Sequence, residues 1–304
     1  MSESTSISLE STNTLDPSSP VLVVGGTGRL GGQVIDELLA RGKSVRALVR
    51  DATDPGSLQA KGVEIARGDM LDLGSLTSAM TGTDAVISTA AGYTRRTPQA
   101  HEIDTTGNMN LAEAAARTGV RRFVLTSILT SDQTPQVPHF WHKKLAEDRL
   151  EELNVPFVAL RPGAFLDHVV TMNGDPFAAG RLMWLGSTTV PLTFVLTPDL
   201  ARYLAEAVDV EVVSGERIDI GWDRPVSMAD IGGIASRLLG KTVEAATIPT
   251  PLHGDMGAMV DWFGTGRYVA DTTRQAQVFG PVPTAEHAVA RLVHSLGHPV
   301  VTSS

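Results

Sequence analysis

Val21–Gly32, VLVVGGTGRLGG, is the stretch whose reading decides the fold. Four apolar residues, three of them β-branched valines, run into a glycine cluster. The chain then continues as QVIDELLARG, with Val34, Ile35, Leu38 and Leu39 at helical spacing. This pattern is strand, tight turn and amphipathic helix. Two glycine registers fit: Gly26, Gly28 and Gly31 as G-x-G-x-x-G, or Gly25, Gly28 and Gly31 as G-x-x-G-x-x-G. In either one, residues without Cβ let the backbone turn sharply and let a pyrophosphate approach the N–H groups that open the helix. An ordinary βα turn also uses glycine. Here the buried-type strand before the turn, the helix after it and the second strand SVRALV assign it to nucleotide phosphate.

Outward from this unit, helices and strands alternate. After SVRALVRD come GVEIARGDM, the helix-like LGSLTSAMTG and the strand DAVISTA. A helix around Thr106 to Arg117 leads to RRFVLTS, and a helix from about Phe140 to Leu153 precedes VPFVALRPG. Strands separated by helical segments form βαβ units, which require a parallel sheet. The expected class is therefore α/β, a Rossmann-type doubly wound parallel sheet over 20–162.

Beyond Arg161 the period fades. The segment 163–196, rich in Gly, Phe, Met and Trp, suits the wall of a small-molecule pocket. A helix from Asp199 to Val208, a strand near 216–221 and a helix from Met228 to Leu239 follow. That strand is expected to rejoin the main sheet, so 163–304 is read as a smaller, interleaved substrate lobe. Residues 1–19 are polar and rich in Ser and Thr, without the basic start or apolar block of a secretory signal, and are read as a disordered tail.

Composition narrows the functions available. The chain has 304 residues, 42% of them hydrophobic, which is ample for a large core. A formal charge of −9 argues against a nucleic-acid binder, which needs a basic stripe. The absence of cysteine excludes disulfides, thiolate metal sites and thiol catalysis. No apolar run approaches membrane-spanning length. The expected setting is cytoplasmic, with a small-molecule substrate, no nucleic acid, no membrane and no metal; a homo-oligomer is compatible.

The end of the second strand bears on which dinucleotide binds. A carboxylate about twenty residues beyond the glycines suits the ribose of NAD, whereas an arginine there suits the 2′-phosphate of NADP. The strand ends Val49-Arg50-Asp51, and Arg29 sits inside the turn. Two guanidiniums near one dianion favour NADP(H). NAD(H) is the alternative if Asp51 faces the ribose in place of Arg50.

These residues resemble the NmrA-like branch of the atypical short-chain dehydrogenase/reductases. The resemblance is carried by GGTGRLG at 25–31, VRALVRD at 45–51, Gly68-Asp69, STAAG at 88–92, RRFVLTS at 121–127, Lys143 with Glu147, ALRPGAF at 159–165 and TTRQAQVFGPVPTAEHAV at 272–289. It implies that Thr27, Gly28, Arg29 and Leu30 contact the pyrophosphate, within a cofactor-binding turn that also includes Gly25, Gly26 and Gly31. It further implies that Asp69 and Met70 lie along the adenine, and that Thr89, Ala90, Ala91 and Gly92 flank the cofactor, with Arg50, Lys143, Pro162 and Gly163 among its contacts.

In tyrosine-dependent relatives a tyrosine four residues before a lysine donates the proton to a carbonyl. Here His139 stands four before Lys143 and Phe140 four before Lys144, while Tyr93, Tyr203 and Tyr268 lie elsewhere. Three readings of Lys143 stay open: a working acid or orienting charge with His139 as proton source, a ribose holder, or a solvated i, i+4 pair with Glu147. Ser127 matches the family's active-site serine position, or else caps a strand end. Tyr93, Arg95, Arg96, Phe165, His168 and Trp184 are candidate substrate contacts; Trp184, Trp222, Trp262 and Phe263 fit a core equally well. The expected activity is NADPH-dependent hydride transfer to a carbonyl, enone or similar group of a small, largely apolar molecule. Its rivals are a non-catalytic NADP(H) sensor and a cofactor-assisted epimerase.

Overall fold

The computed structural model describes residues 18–93, 100–172, 174–249 and 251–299. Most of the expected tail, together with Arg95 and Arg96, lies outside them.

In β1 (Val21–Val24) every residue is buried. Successive side chains alternate faces. Val21 and Val23 pack against Val34, Ile35 and Leu38 of α1 (Arg29–Ala40). Leu22 and Val24 pack on the other face against α3 (Leu73–Met80) and α5 (Asn108–Thr118). A strand buried on both sides has to lie inside a parallel sheet. Seven parallel strands run in the order β3-β2-β1-β4-β5-β6-β10. They are β2 (Val45–Val49), β3 (Glu64–Arg67), β4 (Ala85–Ser88), β5 (Arg122–Thr126), β6 (Phe157–Pro162) and β10 (Glu216–Ile220). The winding reverses between β1 and β4, which opens a crevice at the carboxyl ends of those strands. The protein is an α/β, Rossmann-type doubly wound fold.

Short helices α2 (Gly56–Gln59) and α4 (Ala100–Glu102) precede β3 and α5. The helix expected from Thr106 instead begins at Asn108, after a π turn over Ile103–Gly107. Such turns change which way a helical side chain points, and this one contains Asp104. Helix α6 spans Pro138–Glu152, with the proline in its first turn, where no N–H is needed.

The aperiodic segment folds into β7 (Ala164–Phe165), α7 (Leu166–Thr171), β8 (Arg181–Trp184) and β9 (Phe194–Val195). Then come α8 (Thr197–Glu206), α9 (Met228–Leu239), β11 (Glu244–Thr247), α10 (Gly254–Gly264), α11 (Thr273–Phe279) and α12 (Ala285–Ser295). Two small parallel sheets form, β7 with β9 and β8 with β11. Helix α8 packs beside α1, so a late element covers the same sheet face as the first helix. Trp184, Phe194, Trp222, Trp262, Phe263 and Tyr268 belong to a separate aromatic core with α9 and α12.

Helix α6 carries a buried stripe of His139, Phe140, Lys143, Ala146, Glu147 and Leu150, a face with three ionisable groups on it. Glu147 has no exposed side-chain surface. Its carboxylate accepts from Arg161 Nε at 3.0 Å and Nη2 at 2.6 Å, Arg217 Nε at 2.9 Å and Ser127 Oγ at 2.5 Å. These bonds tie α6 to β6, β10 and the residue that follows β5. Removing one partner of a buried ion pair leaves the others uncompensated. Glu147→Ala is expected to lose about 3–5 kcal/mol of unfolding free energy in urea titration; a loss below about 1 kcal/mol would show that the network is not stabilising.

Candidate active site

The glycine turn distinguishes the two registers. Gly25 has φ +87°, and a Cβ on it would lie 2.7 Å from Thr89 Oγ1. Gly28 is the N-cap of α1, and its N–H donates to Gly25 O at 2.9 Å. A Cβ on Gly31 would fall 2.2 Å from that same oxygen. Backbone demands therefore fall on Gly25 and Gly31, with Gly28 between them. Gly26 has no positive φ; its constraint is contact with Ile35. No side chain caps α1, so its opening amides are available to an anion, and Thr27, Gly28 and Arg29 are exposed. A cradle that a Cβ would fill, at the N-terminus of a twelve-residue helix, fits a dinucleotide pyrophosphate.

Beyond β2, Arg50 and Asp51 are both exposed. Arg67, at the end of the adjoining strand, donates to Arg50 O and Thr53 O, each at 2.9 Å. With Arg50 it makes two guanidiniums beside this strand end, and local spacing did not single it out. Arg29 reaches the other way: its Nη2 donates to Asp167 Oδ2 at 2.8 Å, while Asp167 Oδ1 accepts from Thr197 N and Oγ1. Arg29 thus links the glycine turn to α7 and α8. Asp69 accepts from the Leu71 N–H, and Met70 is buried against Gly107.

The loop after β4 forms the opposite wall of the crevice. Thr89 is bound to Val24 O through its N–H at 2.9 Å and its hydroxyl at 3.0 Å. The buried Asp104 accepts from Gly92 N and Tyr93 N, both at 2.7 Å. Lys143, 4% exposed, donates from Nζ to Ala90 O at 2.9 Å. Burial lowers its pKa, opposed by the charges of Asp104 and Glu147. A solvated pair of Lys143 with Glu147 does not form. Both side chains are buried, and the Glu147 oxygens are taken by Arg161, Arg217 and Ser127.

His139 is buried one turn before Lys143. Its Nδ1 lies 2.6 Å from Asp255 Oδ1, and Tyr93 stacks on its ring at 4.0 Å between centroids. Burial lowers the His139 pKa, and Asp255 partly offsets the shift. Tyr93 is exposed as a whole residue, yet desolvation of its phenol, with the charges of Asp104 and Asp255, pushes it up to about 12. His142 turns away and meets the ring edge of His101. Among the described residues no group of three or more His, Asp or Glu could hold a metal ion.

The other expected contacts differ in their surroundings. Ser127 spends its hydroxyl on Glu147. Trp184 is buried against Phe194 and Phe263 in the aromatic core, so the ring offers a ligand almost no surface. His168 is exposed, and Phe165 is half-buried at the end of β7. Gly163 lies where a Cβ would strike Thr193 O at 2.4 Å, and Pro162 O accepts from Tyr268 at 3.3 Å. Asp104 and Asp255 were missed because what identifies them is contact across the fold, and no local pattern encodes that.

Lys143 also sets a stability expectation. A lysine with a lowered folded pKa carries its full burial penalty at pH below that folded value. The penalty disappears as pH rises towards the unfolded value of about 10.4. Lys143→Met is expected to melt at a higher temperature than wild type at pH 7, with the difference shrinking by pH 10. A mutant less stable at pH 7 would contradict this.

Fold and cradle together define a Rossmann-type α/β protein whose glycine turn fits a dinucleotide pyrophosphate. The chain belongs to the NmrA-like family, whose model matches residues 17–284. It is 26% identical over 243 residues to the photosystem II assembly factor Ycf39 of Synechocystis sp., covering 80% of this chain and 74% of that protein. Among solved structures it shares its fold with Citrobacter sp. triphenylmethane reductase complexed with NADP(H), at TM-score 0.74 and 19% identity, over 90% of this chain and 99% of that one. The Escherichia coli NADPH-dependent quinone oxidoreductase complexed with NADPH also shares it, at TM-score 0.68 and 19% identity, over 93% and 96%. Among the described residues no helix is long and apolar enough to cross a membrane.

Proposed function

We propose that this protein is an NADPH-dependent reductase acting on a carbonyl, enone or similar group of a small, largely apolar molecule. The observation that carries the reading is the buried Lys143 ammonium, bound to Ala90 O in the loop that walls the crevice. A charge shut away from water at a cost to stability is characteristic of a working site. When bound, the cofactor supplies hydride. The chain's own residues do the rest: Gly25–Gly31 receive the pyrophosphate, Arg50 meets the 2′-phosphate, and Lys143 with Asp104 fixes the loop 89–93. Two structures of the same fold contain NADP(H) or NADPH, which supports this choice of cofactor.

The likeness to a photosystem assembly factor favours a second reading, in which the cofactor is held without turnover. NADPH absorbance followed against a panel of quinones, ketones and enones separates the two. Oxidation by at least one acceptor, and its loss in Lys143→Met, is expected; tight NADPH binding with no oxidation by any acceptor would favour the non-catalytic reading. Arg50→Ala is expected to weaken NADPH by roughly tenfold, the scale of one charge-assisted contact, and to leave NADH nearly unchanged. Equal effects on both would return the choice to NAD(H).

A further inference from the structure

We propose that His139 and Asp255 form the proton-handling dyad of this site, with His139 Nε2 the atom that exchanges a proton with the substrate and Asp255 the residue that positions it. The proposal rests on the reductase reading above.

His139 occupies the place, four residues before Lys143, where the tyrosine-dependent relatives carry their proton donor. Its two ring nitrogens stand in different surroundings. Nδ1 is 2.6 Å from Asp255 Oδ1, and the same oxygen lies 3.5 Å from the His139 N–H. Nε2 is buried and has no hydrogen-bond partner among the described residues. A buried polar atom left unpaired costs about 1–3 kcal/mol and calls for an explanation. A purely structural histidine would satisfy both nitrogens; this one is held by one nitrogen with the other left free.

The ring is also fixed in plane. Tyr93 stacks on it at 4.0 Å, and Phe140 meets it edge-on at 4.7 Å. Asp255 is in the first turn of α10, and that helix is attached to the segment after β5 by Trp262 Nε1 donating to Thr130 Oγ1 at 3.0 Å. The carboxylate therefore comes from an element with its own anchor.

The neighbouring groups are committed. Ser127 donates to Glu147, Lys143 to Ala90 O and Tyr268 to Pro162 O. Tyr93, with its phenol near 12, holds its proton too firmly to replace histidine. In the dyad, Asp255 accepts Nδ1–H, which fixes the tautomer and balances the charge of the imidazolium. During reduction the Nε2–H bond breaks and an O–H bond forms on the substrate oxygen. The C=O π pair goes into that bond while the adjacent carbon takes hydride from the reduced dinucleotide. The imidazole is left neutral, with its Nδ1–H still on Asp255.

Among the described residues, the titratable groups around the ring are Asp255 from α10, Asp104 from the π turn, and Lys143 and His142 from α6. Burial and Lys143 favour the neutral ring; Asp255 and Asp104 favour the charged one. Reduction should therefore slow as pH rises through the His139 titration, and losing the Asp255 charge should move that limb to lower pH.

The test uses the full chain labelled with 15N-histidine, as wild type, Asp255→Asn and His139→Gln. NMR of the imidazole nitrogens reads tautomer and titration, with His139→Gln assigning the resonance. NADPH binding and the pH profile of turnover are measured alongside. Expected are a neutral His139 protonated at Nδ1, a titration and pH limb displaced downward in Asp255→Asn, and a loss of about a hundredfold or more in kcat for His139→Gln with NADPH affinity retained. A ring protonated at Nε2, an unmoved titration in Asp255→Asn, or unimpaired turnover in His139→Gln overturns the proposal. If wild type oxidises NADPH with none of the acceptors, the reductase reading fails and the substrate role of the dyad falls with it, whereas a wrong tautomer in an active enzyme defeats the dyad alone. An Nδ1–H ring titrating with Asp255 supports it, and an Nε2–H ring sinks it.

Discussion

The Lys143 side chain lies inside the protein with one hydrogen bond among the described residues, to Ala90 O, and the surrounding architecture explains why it can stay there. Ala90 belongs to the loop that follows β4, and that loop is bound at both ends, by Thr89 to Val24 O and by Gly92 and Tyr93 to Asp104. Asp104 reaches those amides from a π turn, and it is one of two carboxylates whose charge opposes the desolvation of Lys143. Loop, π turn and α6 thus depend on one another. Loosening any of them frees a buried charge or a pair of buried amides.

One face of α6 carries two ionic systems with different tasks. Glu147 is surrounded by donors and joins the helix to β6, β10 and the residue that follows β5, a saturated network that leaves little for chemistry. One turn away Lys143 is barely satisfied, and one turn further His139 keeps a nitrogen unpaired. Satisfaction falls along the helix from Glu147 to His139, as expected if stability is concentrated at one end and reactivity at the other.

Much of this could be read from the residues alone. VLVV announces a strand buried on both faces, the glycines announce the turn, and regular alternation to ALRPG announces the parallel sheet, because these signals are local and repeat. The strand at Glu216–Ile220 was legible for the same reason. The segment 163–196 was not, since β7, β8 and β9 are two to four residues long and exist only through their partners in the small sheets. Helix periodicity could not show that Lys143 and Glu147 share a buried face, because charged residues normally mark the solvated side. Asp255 lies 116 residues from His139, and Trp184 passes for a pocket residue until its aromatic neighbours are in place.

In the proposed function, the crevice between β1 and β4 holds NADP(H) against the loop that Lys143 and Asp104 secure. A crystal structure of the NADP+ complex tests it most directly. The account predicts the pyrophosphate on the amides of Thr27–Leu30, the 2′-phosphate at Arg50, and the nicotinamide end beside Lys143. A dinucleotide seated elsewhere, or one whose nicotinamide end points away from Lys143, would contradict it.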